Sequence, residues 1–430
     1  MSGRPAIRAE RLLERLDRFA AIGATAKGGV NRQALTEGDR EVRAMLAGLA
    51  GARGFSVAQD EAANLFLRRE GTDAGLPPLL LGSHLDTQPT GGRFDGALGV
   101  LAAFEVLEAL EDAGVVSERA AEVAVWTNEE GSRFAPGAMG SQAFAARALP
   151  PEWREARSTD GARLGTELAA TIAALPVPLA PLGFPIAAYL ELHIEQGPVL
   201  EREDTPIGVV TGIQGTLWLE VEITGQAAHA GTTPLGFRRD PMRAAAAAMA
   251  ELYGGIMPAD SDARFTIGRI EAEPGSVNAV PERVRFTIDL RHPDACELAA
   301  LALRIRGVLE SACAEAGCAL SIRRLVDMPP TAFPEAMVER VEASARRAGL
   351  ASRRIVSGAF HDALYLARCA PTAMIFCPCR DGISHNEAEH VEPRFAVAGA
   401  TVLLEAALSL LGAADTASHP PIAASGPSAA

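Results

Sequence analysis

Three short stretches carry most of the residues that could ligate a metal. They are Ser83-His84-Leu85-Asp86-Thr87, followed by Asp95 in Gly92-Arg93-Phe94-Asp95-Gly96; Asn128-Glu129-Glu130-Gly131; and Glu191-Leu192-His193. A fourth stretch, Ile383-Ser384-His385-Asn386, adds one more imidazole far downstream. The 430-residue chain has only eight histidines, and three of them fall here beside carboxylates or glycines. Neutral imidazole and carboxylate oxygen suit a borderline divalent ion such as zinc. A pair of such ions needs about five protein ligands, one of them a shared carboxylate. The stretches supply that set with a carboxylate to spare, which points to catalysis rather than to a structural metal.

Individual roles follow from spacing. Asp86 lies two residues after His84, so in extended backbone both side chains point the same way. Metal-bound imidazoles usually donate their second N–H to a carboxylate or carbonyl, so Asp86 is expected to orient His84 rather than to ligate. Asp95 has Gly91, Gly92 and Gly96 for neighbours, which allow close backbone approach around a bridging carboxylate. Glu129 and Glu130 are adjacent and diverge if extended, so one can ligate while the other serves as general base. Cys377-Pro378-Cys379 lacks a second cysteine pair and follows a strand-like run, so it reads as buried thiols rather than a metal clip.

The elements that must position these groups are readable too. Residues 78–82, 121–126 and 187–193 are short apolar runs of the buried-strand kind, and residues 95–99 open a long helical pattern that runs through 110. The early motifs fall at strand ends, where open α/β sheets gather their ligands. The pattern changes after Gly212. Strand-like 217–223 is followed by a loop over 225–235 and an alanine-rich helix over 241–252. Strands over 266–270 and 283–290, a helix over 296–316 and a strand over 321–325 complete a small ferredoxin-like α+β sandwich. The expected fold class is α/β, a mixed-sheet core with this α+β domain inserted. The expected domains are 1–212 and 329–412 for the core, 213–328 for the insertion, and a disordered Ala-, Ser- and Pro-rich tail over 413–430.

Composition bounds the partners. Net charge is −14, which argues against nucleic acid or an anionic membrane surface. A hydrophobic content of 48% is ample for a large core. No charge-free apolar run reaches about 18 residues, and the N-terminal residues lack the apolar core of a signal peptide. Six cysteines in a chain this long do not form a disulfide framework, so a reducing cytoplasm is expected.

Taken together the motifs resemble the M20-type metallohydrolases, and within them the amidohydrolase group of N-carbamoyl-amino-acid hydrolases, bacterial β-ureidopropionases and allantoate amidohydrolases. The resemblance spans about residues 11–411. It rests on the stretches above, on Gln196 and Gly197 after His193, and on His229-Ala230-Gly231-Thr232-Thr233-Pro234. It implies a di-metal hydrolase core in which His84 and His193 hold one ion, Glu130 and His385 the other, and Asp95 bridges. Glu129 would be the catalytic base. Two divalent ions per subunit are implied, zinc first, with manganese, cobalt or nickel as alternatives. Gln196, His229, Asn278 and Arg291 would hold the substrate, with Arg291 clamping its carboxylate. Trp218 is the aromatic that carbamoyl-amino-acid members resemble at that point, where allantoate members tend to have Arg. His361 lies in a stretch similar to the family's, with Phe360 in place of the usual Gly.

The implied reaction is hydrolysis of a small ureido substrate, an N-carbamoyl-L-amino acid or N-carbamoyl-β-alanine, to amino acid, ammonia and carbon dioxide. Allantoate is the alternative, and aminoacylase or dipeptidase activity comes third. The resemblance also implies a homodimer formed through the inserted domain. That domain would act as a lid hinged near Gly212 and near Pro329-Pro330, with His229 serving either its own or the partner's site.

Overall fold

The computed structural model describes residues 4–412, so the tail expected to be disordered lies outside the described residues. Two compact units are present. Among the described residues one comprises 4–210, Phe333–Arg354 and 361–412, and the other Thr211–Ala332 with Ile355–Phe360. The expected insertion over 213–328 falls inside the second unit; the return segment Ile355–Phe360 was not foreseen.

The sheet of the first unit runs in the order Ser56–Gln59, Leu65–Arg69, Ala121–Trp126, Leu79–His84, Ala188–Ile194, Thr372–Cys377, Ile207–Ile213. The four central strands, Ala121–Trp126 to Thr372–Cys377, are mutually parallel, and their flanking neighbours are antiparallel. All four are buried along their whole length, the state that near-continuous apolar runs such as Leu79-Leu80-Leu81 encode. Helix Ala97–Asp112 packs on this sheet and on helix Pro393–Leu410. It is apolar nearly all round and buried almost throughout, which suits a helix inside a large core. Its acidic residues Glu105 and Glu108 are met by Arg11 and Arg15 of the first helix, Ala9–Ala20, at 2.6 and 2.8 Å. Helix Pro393–Leu410 is long and apolar enough to cross a membrane, but most of it is buried in the core and it carries Arg394 and Glu405.

The second unit is an antiparallel sheet in the order Ile270–Glu273, Arg283–His292, Gly215–Thr224, Ala319–Met328. Alternation places Leu217, Leu219, Val221 and Ile223 on one face with Val284, Phe286, Ile288 and Leu290. Helices Pro241–Gly255 and Ala295–Ala316 cover that face, each started by an aspartate, Asp240 and Asp294, that accepts two main-chain N–H groups. The single strand expected over 266–270 is instead two, Arg264–Thr266 and Ile270–Glu273. Between them the chain leaves the ladder: Ile267 donates its N–H to the Tyr253 hydroxyl, and Gly268 adds no side chain to pack.

Candidate metal centre

Parallel central strands put their C-terminal ends on one edge of the sheet, and the candidate ligating residues gather there. His84 ends Leu79–His84, and His193 stands one residue from the end of Ala188–Ile194. Asp95 precedes helix Ala97–Asp112, Glu129 and Glu130 follow Ala121–Trp126, and His385 follows Thr372–Cys377.

The geometry is that of two ligand sets joined at one residue. Asp95 Oδ1 lies 3.5 Å from His84 Nε2 and 3.1 Å from His193 Nε2. Its other oxygen lies 3.6 Å from His385 Nε2, which is 3.3 Å from Glu130 Oε2. The ligand atoms thus form the sets His84–Asp95–His193 and Asp95–Glu130–His385. A further set, Glu191–His193–His361, shares His193. His193 Nε2 is buried and 3.1 Å from an Asp95 carboxylate oxygen, yet it has no hydrogen-bond partner of good geometry among the described residues. The candidate ligand atoms of each set lie within 4.8 Å of one another, close enough to share one ion. Asp86, Asp95, Glu129 and Glu130 crowd around the buried imidazoles of His84 and His193 and the exposed one of His385, a density of negative charge that dications would balance. The residues present therefore fit a pair of divalent ions.

Electrostatics separates the carboxylates. Burial pushes Glu129 well above the usual carboxylate range, against the pull of His84 and with the push of Asp362 and Glu130. Burial and the charge of Asp95 raise Glu130 likewise. Asp95 is different: burial opposes its ionisation, but His193 and His84 hold it well below the usual range. The directions set Asp95 apart from its two neighbours, both of which burial pushes the other way.

The supporting bonds correct one expectation. His84 Nδ1 bonds the main-chain carbonyl of Asp86 at 2.8 Å, while the Asp86 carboxylate stands 3.9 Å away. The carboxylate instead accepts the N–H groups of Glu129 and Glu130. Asp86 does orient His84, but through its backbone, because the strand ends at His84 and the two-residue alternation stops with it. His193 Nδ1 is fixed similarly by the carbonyl of Ile194 at 3.0 Å, so both imidazoles aim Nε2 at Asp95. Gln88 holds Glu130 with its N–H at 3.1 Å and its side-chain amide at 2.8 Å. Gly96 has φ +64°, and a Cβ there would collide with the His84 ring.

The residues expected to hold substrate are divided. Gln196 is at the centre, in the left-handed region at φ 56°, and its amide donates to Asp95 Oδ2 at 3.0 Å and to Ser384 Oγ at 2.9 Å. His361 is buried with its ring centroid 4.5 Å from that of His193, and burial keeps it well below the usual imidazole range. Trp218, His229, Asn278 and Arg291 belong to the second unit. There His229 pairs with Ala279, beside Asn278, across the short strands Ala228–His229 and Ala279–Val280. Arg291 donates Nε and Nη2 to Asp289 at 2.9 and 2.8 Å, and Nη1 to the Gly358 carbonyl at 2.8 Å. Trp218 stands opposite Asp289 in the strand pair.

Three further residues escaped sequence reasoning. Ser384 donates its hydroxyl to Asp95 Oδ2 at 2.8 Å. Glu191, fully buried, accepts from Ser83 Oγ and from the N–H of Ala363. Glu389 accepts the N–H groups of Phe94 and Asp95 at 2.9 and 3.1 Å. Only the glycine at Gly92 hints at the last, since a Cβ there would fall onto the Glu389 carboxyl group, and it does not say which residue fills the space.

Comparison with known proteins places these features in context. The model of the peptidase family M20/M25/M40 matches residues 80–409. The N-carbamoyl-L-amino-acid amidohydrolase of Rhizobium meliloti is 39% identical over 408 residues, 94% of this chain and 96% of that protein. The allantoate amidohydrolase of Escherichia coli (strain K12) is 34% identical over 377 residues, 87% of this chain and 92% of that protein. Among solved structures, a hydantoinase/carbamoylase family amidase from Burkholderia multivorans superposes with a TM-score of 0.89 at 43% identity, covering 95% of this chain and 99% of that one.

Proposed function

The chain belongs to peptidase family M20/M25/M40, and we propose that it is a divalent-metal amidohydrolase cleaving the ureido C–N bond of an N-carbamoyl-L-amino acid. With one water consumed, the products are the amino acid, ammonia and carbon dioxide. The observation that carries the reading is the pair of ligand sets joined at Asp95, with Glu129 beside them and in neither. The similarity to N-carbamoyl-L-amino-acid amidohydrolases along almost the whole chain supports the substrate class.

Two divalent ions held by His84, His193, Asp95, Glu130 and His385 would polarise the ureido carbonyl and make a water acidic enough to attack at neutral pH. Zinc is the first choice for this nitrogen-and-oxygen set, with manganese, cobalt or nickel as alternatives. Glu129 takes the proton of the attacking water and delivers it to the leaving nitrogen. Asp86 keeps Glu129 and Glu130 apart by holding both their N–H groups.

Arg291 is read as the clamp for the substrate carboxylate. Asp289 and Gly358 occupy three of its five N–H donors, which leaves one on each terminal nitrogen, an end-on pair matched to a carboxylate. His229 and Asn278 are read as donors to the ureido oxygen, and Trp218 as a wall against the amino-acid side chain. The second unit is also read as the surface of a homodimer. Large hydrophobic side chains left exposed among the described residues lie mostly in it, Phe237, Val277 and Leu303 among them. The six cysteines are all free, in keeping with a reducing cytoplasm.

The test is ammonia release from a panel of N-carbamoyl-L-amino acids, N-carbamoyl-β-alanine and allantoate by metal-loaded protein. Turnover of the α-amino-acid derivatives at the highest kcat/KM is expected. Allantoate as the best substrate would replace this reading with that of the allantoate-cleaving relatives.

A further inference from the structure

Glu389 is 3% exposed and comes from the loop that also supplies Ser384 and His385. One carboxylate oxygen accepts the N–H groups of both Phe94 and Asp95, and the other has no hydrogen-bond partner among the described residues. The loop therefore grips Asp95 at both ends: Ser384 holds its carboxylate and Glu389 its backbone. Gly92 completes the arrangement. Its φ is not in the left-handed region, so its backbone alone does not exclude a side chain; a Cβ there would fall onto the Glu389 carboxyl group.

We propose that Glu389 is a positioning residue for the bridging carboxylate, setting through the Phe94 and Asp95 N–H groups where the Asp95 oxygens fall between the two ligand sets. The proposal rests on the two-ion reading above. What matters in Glu389 is the oxygen that accepts two N–H groups, because its second oxygen has no partner. An amide keeps that acceptor, whereas alanine removes it. Alanine at Gly92 displaces the carboxyl group and should reproduce the loss without touching Glu389 itself. When Glu389 is already alanine, the Gly92 methyl group has nothing left to displace, so the two changes should not add.

The experiment is titration of metal-free protein with zinc and with cobalt, following uptake by calorimetry and the visible cobalt spectrum. Wild type, E389Q, E389A, G92A and the double variant G92A/E389A are compared, with near-UV circular dichroism to confirm folding. Partners that orient ligands typically contribute about 10–100-fold to metal affinity. E389A and G92A should each weaken uptake by about that factor and alter the cobalt spectrum, E389Q should stay within about threefold of wild type, and the double variant should match E389A. Should E389A not fold, G92A against E389Q carries the comparison. Wild-type affinity and spectrum in folded E389A, or in G92A, overturn the proposal. A wild-type chain that takes up no divalent ion would sink the two-ion reading itself, a result visible before any variant is compared.

Discussion

Asp86 accepts the main-chain N–H of Glu130 at 3.2 Å from 44 residues earlier in the chain, and its other oxygen accepts that of Glu129 at 3.3 Å. One buried carboxylate thus fixes the peptide from which two further carboxylates diverge, Glu129 towards His84 and Glu130 towards His385. Asn128 just before them has φ 55°, and its side-chain amide is tied to the carbonyls of Phe134 and Pro136. The turn is held from both sides.

Asp86→Ala should leave the fold intact and lower kcat by about 10–100-fold, the usual effect of losing a partner that orients ligands. Steady-state kinetics beside circular dichroism checks this. Wild-type kcat in a folded variant would remove Asp86 from the account.

Glu129→Gln and Glu130→Gln should part company. The first is expected to keep its metal and lose about 10²–10⁴-fold in kcat, the contribution of a positioned base. The second should lose metal, because Glu130 belongs to a ligand set. Elemental analysis of the two proteins separates the roles; metal loss from Glu129→Gln with full retention by Glu130→Gln would reverse them.

Arg291→Lys should raise KM for N-carbamoyl-amino acids by more than about tenfold, since a lysine cannot present the paired donors of the fork. Hydrolysis of an N-carbamoyl amine lacking the carboxylate should be unaffected by the change. Equal losses on both substrates would mean that Arg291 is not the carboxylate clamp.

Glu122 offers a stability test away from the site. Burial pushes its carboxyl up to about 7, with Arg68 only partly opposing. A folded-state value above the ordinary 4.5 means that the folded chain binds the extra proton. Its stabilising effect is complete below that ordinary value and is lost as pH rises through about 7. Relative to wild type, Glu122→Gln should gain up to ~3 kcal/mol between about pH 4.5 and pH 7.5. Urea unfolding at both ends of that range measures it, and a pH-independent difference between the two proteins would contradict the assignment.

How much of this could be read without coordinates depended on how local each feature was. That His84, Asp95, Glu130, His193 and His385 come together is legible because imidazoles are scarce here and stand in glycine- and carboxylate-rich stretches at strand ends. The inserted α+β unit was legible from the change of periodicity after Gly212. Glu389 was not, since Asn386-Glu387-Ala388-Glu389 looks like a solvated acidic loop and its partner Asp95 lies 294 residues away. The Asp86 carboxylate differs from its expected role because the alternation that aims it at His84 would have to run two residues past the point where the strand stops. The split near Gly268 depended on the Tyr253 hydroxyl, a tertiary contact that no local pattern encodes.

The shared role of Asp95 makes the central claim directly measurable. Metal-free enzyme is titrated with zinc while hydrolysis of an N-carbamoyl-L-amino acid is followed. Activity should be near zero without metal and reach its plateau at about two equivalents per chain, as five ligands with one shared carboxylate require. A plateau at one equivalent, or turnover that survives complete metal removal, would contradict the two-ion account.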